Sequence, residues 1–242
     1  EYRPHFPGYP IYLWMSHSLS LWTGSETTAL NLVSAFLGGL TPLPFFLLVR
    51  DLYNRKTALL ASLLLILNPL HWLLSERALS DVPGSFFVIA FLCLSFRVLK
   101  AERRASRRLL TVGAFAALAL ALGARPSYFP FLITAVGYQI GVLKGLASRK
   151  EKWEQVALAT TVFLTVCSLW LLWQAIQLRG ESLWSEGTAF VGGHFSLWGG
   201  TALAEPDLLR RAGNLFKSLC VHGLGFYGAG ASPWPSGYHW WR

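Results

Sequence analysis

The chain has 242 residues, of which 53% are hydrophobic and 14% are charged, and its formal net charge is +9. So few charges over this length exclude an ordinary soluble domain and indicate a membrane protein. The positive charge does not indicate a nucleic-acid partner, because the basic residues lie in short clusters between apolar runs and form no basic face or stripe.

The N-terminal segment, residues 4–10, is a loop punctuated by prolines. Proline fixes φ and restricts its neighbours, so the loop would present His5 and Tyr9 in defined directions. The alternative is a tight turn that lays the amphipathic run of residues 11–22 onto the membrane surface. The residues leave both interpretations open.

Six apolar stretches follow, and each approaches or meets the roughly 20 residues that a helix needs to cross a bilayer. They cover residues 28–49, 57–74, 82–99, 109–122, 127–143 and 156–176, and the fourth is short. Between the fourth and fifth lie Arg125, which is costly at mid-bilayer, and Pro126, which lacks a backbone donor. This pattern predicts a tight hairpin at residues 123–126, and one long kinked helix is the alternative.

Lysine and arginine are distributed unevenly over the loops. Thirteen of the 21 basic residues lie in three alternate loops, within residues 50–56, 97–108 and 144–152. Loops rich in Lys and Arg stay in the cytoplasm. This places residues 1–27, 75–81, 123–126 and the tail from Gln177 on the non-cytoplasmic side.

The tail is rich in Gly, Trp and Ser and contains no run long enough to span a membrane. Apolar residues at intervals of three and four predict an interfacial helix over residues 205–221. His194 and His222 have no partner spacing, so we predict no catalytic role for them. Cys93, Cys167 and Cys220 lack metal-like spacing, and we interpret them as packing residues.

These patterns predict an all-α, polytopic transmembrane helical bundle with interfacial helices in its outer loops. Residues 1–27 form an outer Pro-rich loop and interfacial helix, residues 28–176 a six-span region, and residues 177–242 an outer loop with an amphipathic helix. Because the chain starts at Glu1 without an initiator Met, we expect a fragment of a longer protein.

The segment between the second and third apolar stretches carries Glu76, Arg77 and Asp81, where ionisable groups usually face a cavity or each other. If the segment is helical, Arg77 and Asp81 are four residues apart and share a face. One interpretation is an ion pair between them that caps the next helix, with Asp81 at its N-terminus and Pro83 in its first turn. A carboxylate beside a guanidinium also suits a phosphate-linked substrate. Arg125 would be a second cation for a phosphate or a snorkelling hairpin residue.

Three motifs together resemble the GT-C superfamily of membrane glycosyltransferases, in particular the bacterial protein O-mannosyltransferase and aminoarabinose-transferase-like group. They are the His-x-Pro-Gly-Tyr-Pro loop at residues 5–10, the acidic motif at residues 76–83, and the Gly-Ala-Arg-Pro-Ser-Tyr sequence at residues 123–128. The resemblance covers roughly residues 1–180. It departs from the family at His5-Phe6-Pro7, where members often have two prolines after His or Lys.

The resemblance implies transfer of a sugar, with inversion, from a polyprenyl-phosphate donor to a hydroxyl of a lipid, glycan or protein on the non-cytoplasmic face. Asp81 takes the position of the family's second acidic residue and is the predicted catalytic residue. The family's first acid, which the resemblance makes the first choice for the base with Asp81 in support, would lie upstream of Glu1 together with one span. The predicted substrate-binding residues are His5, Tyr9, Glu76, Arg77 and Arg125.

A divalent cation is the one candidate cofactor, and Asp81 is its expected ligand if the cation takes part. The expected partners are the polyprenyl-phosphate-linked sugar, the acceptor and membrane lipids, and no nucleic acid. The expected location is a bacterial inner membrane, with the site on its periplasmic or extracellular side.

Two other functions fit less well. A transporter or flippase of a lipid-linked or anionic substrate would need charges near the bilayer midplane in paired half-helices. A non-catalytic scaffold would need neither these charges nor outer carboxylates. The outward position of Arg77 and Asp81 favours the glycosyltransferase.

Overall fold

A computed structural model describes residues 8–177, 183–193, 196 and 207–217, and these residues form helices and no strand. The α-helices are α1 (Pro10–Thr23), α2 (Glu26–Leu40), α3 (Pro42–Leu52), α4 (Arg55–Ile66), α5 (Pro69–Ser75), α6 (Asp81–Lys100), α7 (Arg104–Ala124), α8 (Phe131–Lys144), α9 (Arg149–Gln177), α10 (Leu183–Gly193) and α11 (Leu208–Phe216). A 3-10 helix, Pro126–Tyr128, lies between α7 and α8.

Within these residues, four helical units are long and apolar enough to cross a membrane: α2 with α3, α6, α7 and α9. α4 and α5 provide a fifth crossing if they form one span, although they bend by 58° at their junction. α8 is apolar but has only 14 residues. The predicted all-α polytopic bundle is confirmed.

The six apolar stretches all coincide with helical structure, but two lengths differ from the prediction. The fourth stretch is part of α7, which has 21 residues because the helix continues through the basic residues before Leu109. Arg104 and Arg108 are accommodated there because both bind the Glu154 carboxylate of α9. The fifth stretch is shortened, since the 3-10 helix occupies its first residues.

Local chemistry explains several helix ends. Gly24, with φ 68°, ends α1 in the left-handed conformation that glycine adopts without strain. Asn54 and Asn68 cap α4 and α5 by accepting hydrogen bonds from the backbone N–H groups of Thr57 and His71. The cap at Asn68 starts a new helix, and the crossing therefore breaks there.

α6 lies at the centre of the bundle and packs against α2, α3, α7 and α8. Phe91 in the middle of α6 packs with Leu118 of α7 and Ala135 of α8, and all three are buried. Val98 near the end of α6 packs with Val142 near the end of α8. α8 therefore runs parallel to α6 and antiparallel to α7, which confirms the hairpin and excludes one long kinked helix.

The bundle has two chemically different ends. At the basic end, formed by residues 50–56, 97–108 and 144–152, Asp51 binds Arg50 and Arg97. The opposite end, which we call the Asp81 end, contains Asp81, Arg125 and the buried face of α1. The charge segregation on which the predicted orientation depends is thus present in the fold.

Both predicted amphipathic segments contain a helix. In α1, Tyr12 is 3% exposed and Trp22 is 89% exposed, so one side packs on the bundle and the other is uncovered. α11 covers the middle of the predicted segment at residues 205–221, and residues 205–206 and 218–221 lie outside the described residues.

Candidate functional site

An ion pair between Asp81 and Arg125 defines the candidate site. Nη1 of Arg125 lies 2.8 Å from Oδ2 of Asp81 and also donates to Oγ of Ser80 at 3.2 Å. Both charged side chains are 31% exposed, whereas Ser80 is buried. The pair is thus fixed on its protein side and open on its other side.

The sequence places both members of this pair at helix ends. Asp81 is the first residue of α6, as predicted, with Ser80 at the N-cap and Pro83 in the first turn. A carboxylate there is stabilised by the positive end of the helix dipole. Arg125 is extended, with φ −155° and ψ 102°, so it ends α7 and directs the chain into the 3-10 helix.

The predicted pairing of Arg77 with Asp81 is wrong. Residues 76–80 form no helix between α5 and α6, so the i, i+4 relationship that this prediction needs is absent. The partner of Asp81 among the described residues is Arg125. Glu76 and Arg77 are exposed and lie five and four residues before Asp81 in the chain.

Tyr128 closes the site from the hairpin side. Its hydroxyl donates to the backbone carbonyl of Asp81 at 3.2 Å. Gly84 makes this contact possible, because a Cβ at that position would lie 2.4 Å from Cε2 of Tyr128 and 3.1 Å from Cβ of Arg125. Burial, reinforced by the nearby Asp81 charge, raises the pKa of Tyr128, so its hydroxyl stays a neutral donor at physiological pH.

A buried hydrogen-bond chain supports the site from α1 and α2. Oγ of Ser34 donates to the carbonyl of Leu79 at 3.1 Å, and the Tyr12 hydroxyl lies 3.0 Å from the same Oγ. The Leu30 carbonyl, 3.0 Å from the Tyr12 hydroxyl, is a further acceptor for the single proton of that hydroxyl. Burial raises the pKa of Tyr12 to about 12, while the Ser34 hydrogen bond lowers it and the Asp81 charge raises it.

The other predicted site residues take separate positions. Tyr9 is half-buried at the N-cap of α1 and packs against the cluster of Tyr12, Val33 and Leu37. His5 lies outside the described residues. The structure therefore brings together Asp81 and Arg125, and places Tyr9 on the helix that supports them.

Sequence reasoning did not identify Tyr12, Ser34, Ser80, Gly84 or Tyr128 as site residues. Tyr128 and Gly84 offered a weak signal, since each lies within three residues of a charged residue of the site. Tyr12 and Ser34 offered none, because their link to Leu79 joins residues 45 or more positions apart in the chain.

The described residues contain no group of three or more His, Cys, Asp or Glu side chains placed to hold a metal ion. Asp81 is committed to an ion pair through one oxygen. In the part of the chain that the structure describes, Asp81 therefore belongs to no cluster of His, Cys, Asp or Glu side chains that would hold a metal ion.

The fold and the charged pair define a multi-pass helical membrane protein with a polar site at one end of its bundle. The chain belongs to the dolichyl-phosphate-mannose-protein mannosyltransferase family, whose model matches residues 4–173. It is thus a membrane glycosyltransferase of the mannosyltransferase-like kind, and the resemblance found in the motifs is confirmed. All six predicted site residues lie within the matched range.

No curated protein and no solved structure matches the chain.

Proposed function

We propose that the protein transfers a sugar from a polyprenyl-phosphate donor to an acceptor hydroxyl on the non-cytoplasmic face of the membrane, with inversion at the anomeric carbon. The observation that carries this proposal is the half-open pair of Asp81 and Arg125 at the end opposite the basic loops. The family supports the glycosyl transfer, and its name supports a lipid-phosphate sugar as the donor.

The pair leaves reactive atoms of both signs side by side. Asp81 uses Oδ2 for Arg125, and no hydrogen bond to its Oδ1 is found among the described residues. Arg125 uses Nη1, and its Nε and Nη2 groups make no hydrogen bond within the same residues. Oδ1 is therefore available to an acceptor hydroxyl, and the remaining guanidinium N–H groups are available to phosphate oxygens.

In the proposed reaction the acceptor oxygen forms a bond to the anomeric carbon while the bond from that carbon to the phosphate oxygen breaks. Asp81 orients the attacking hydroxyl and accepts its proton, and the bonding electrons leave with the polyprenyl phosphate. Arg125 neutralises the negative charge that develops on the phosphate. Attack from the side opposite the leaving group gives inversion.

The other predicted residues have supporting roles in this proposal. Arg77 is exposed next to the site in sequence and supplies a second cation for the donor phosphate, and Glu76 contacts the sugar or acceptor. His5 and Tyr9 contribute from the N-terminal segment. The polyprenyl chain lies along the apolar helices, which keeps the phosphate at the membrane surface.

The test is glycosyl transfer by the full-length protein in membranes supplied with labelled polyprenyl-phosphate mannose or other polyprenyl-phosphate sugars. Asp81→Asn at matched expression is expected to lower the rate by about 10²- to 10⁴-fold, the usual contribution of a general base. Ser62→Ala on α4 is the control and should match wild type. Equal activity of Asp81→Asn and wild type would reduce Asp81 to a helix-end residue, and no transfer from any donor would favour a transporter.

A further inference from the structure

We propose that Tyr12 and Ser34 are positioning residues that hold the backbone before Asp81 and so set the direction of its carboxylate. This inference rests on the proposed function and extends it to α1, which becomes part of the site as well as an outer helix. Tyr12 and Ser34 act on Asp81 through the Leu79 carbonyl and do not touch the substrate.

The segment that carries Asp81 into the site has little support of its own. Residues 76–80 form no helix, and Glu76, Arg77 and Ala78 are exposed. Within this turn, the N–H of Leu79 bonds to the carbonyl of Arg77 at 2.7 Å. The Leu79 carbonyl, two residues before Asp81, is held from outside the segment by Ser34.

α2 is shaped to receive this segment along one stripe. Leu30, Ser34 and Gly38 are spaced four residues apart and therefore lie on one face of the helix. A Cβ at Gly38 would lie 2.3 Å from Oγ of Ser75 and 3.2 Å from Cγ1 of Val82. α2 thus touches both flanks of the turn at Gly38 and its middle at Ser34.

Tyr12 completes the arrangement because it fixes Ser34. Ser34 is fully buried and Tyr12 is 3% exposed, so neither hydroxyl has water as an alternative partner. A buried hydroxyl without a partner is costly, and the two hydroxyls therefore hold each other in place. The Tyr12 hydroxyl has one proton and two acceptors at 3.0 Å, the Leu30 carbonyl and Oγ of Ser34. When that proton goes to Ser34, the single Ser34 proton is directed to the Leu79 carbonyl.

The first experiment measures kcat and KM for the labelled polyprenyl-phosphate donor with the full-length protein in membranes. Tyr12→Phe and Ser34→Ala are expected to lower kcat by about tenfold or more, as misplacement of a reacting group does, with little change in KM. The double variant should lose no more than the stronger single variant, since both break one chain of bonds. Tyr138→Phe and Ser62→Ala are matched controls outside the site.

The second measurement does not depend on activity. Hydrogen–deuterium exchange of the purified full-length protein should be about fivefold faster or more over residues 79–84 in both variants, with unchanged exchange in α7 and α9. Exchange and kcat equal to wild type would overturn the positioning role while leaving the proposed function intact. Absence of transfer by the wild-type protein would instead remove the proposed function. In that case the exchange measurement alone decides, and exchange of residues 79–84 equal to wild type in both variants would overturn the role of Tyr12 and Ser34 in holding this segment.

Discussion

Nη1 of Arg125 lies 2.8 Å from Oδ2 of Asp81, although the two residues are 44 positions apart in the chain. The contact joins the start of α6 to the hairpin after α7, at the end of the bundle away from most basic residues. Since α6 and α7 pack along their lengths, the ion pair is held by the bundle and gives the site a fixed geometry.

Replacement of Arg125 tests whether this guanidinium does more than stabilise the fold. Both side chains are about one-third exposed, so we expect Arg125→Gln to cost at most about 1 kcal/mol of stability. Glycosyl transfer should fall far more, by about 10²-fold, because charge on the leaving phosphate loses its partner. Arg125→Lys should recover part of the activity, since an ammonium keeps the charge but not the planar donor geometry.

Thermal unfolding and transfer rates, measured on the same preparations, check this prediction. A loss of transfer no larger than the loss of folded protein would contradict a role in the reaction.

Gly84→Ala tests the close approach between α6 and the hairpin. The new methyl would lie 2.4 Å from Cε2 of Tyr128, so we expect a loss of about 1–3 kcal/mol, typical of overpacking, and reduced transfer. Gly39→Ala is the matched control, because its Cβ meets no atom within 4 Å, and helix propensity predicts a neutral or slightly stabilising effect. Comparable melting temperatures for the two variants would show that the Tyr128 contact is not tight.

Arg77→Gln distinguishes the role of Arg77 from that of Arg125. Arg77 is exposed and does not pair with Asp81, so its replacement should leave the melting temperature unchanged. If Arg77 binds the donor phosphate, KM for the donor should rise by about fivefold, as expected for loss of one charge-assisted contact, and the effect should shrink at high salt. An unchanged KM would remove Arg77 from the donor site.

Alkaline pH should destabilise the protein in part through Tyr12. The pKa of Tyr12 rises from 10.0 to about 12 in the folded state, so between these values the folded chain keeps a proton that the unfolded chain has lost. Stability is fully present below pH 10 and decreases as pH rises toward 12, by up to ~1.4 kcal/mol per pH unit for one such group. Melting temperatures from pH 9 to 12 should fall less steeply in Tyr12→Phe than in wild type.

Membrane orientation can be tested by labelling with an impermeant thiol reagent in intact cells. A background without the native cysteines should carry either Arg77→Cys or Glu102→Cys. If the predicted orientation holds, Arg77→Cys is labelled in intact cells, because residues 75–81 lie on the non-cytoplasmic side. Glu102→Cys is then labelled only after lysis, because Glu102 lies in a basic loop. The opposite result would place the Asp81 end in the cytoplasm.

The sequence by itself determined the class, the positions of the apolar helices and the hairpin at Arg125. These features follow from local properties: the length of an apolar run, the cost of a charge or proline inside it, and the uneven distribution of basic residues. Asp81 at the start of α6 followed in the same way, from an acidic residue and Pro83 placed just before an apolar helix.

Only the tertiary structure decided which residues meet at the site. Arg77 is close to Asp81 in sequence and was the natural partner, but the break between α5 and α6 removes the helical spacing, and the antiparallel packing of α6 and α7 brings Arg125 there instead. Tyr12, Ser34 and Leu79 meet for the same reason, since helix packing sets long-range neighbours that no local pattern encodes. Local sequence places Asp81 and Arg125 at helix ends. Helix packing then decides that these two ends meet and form the site.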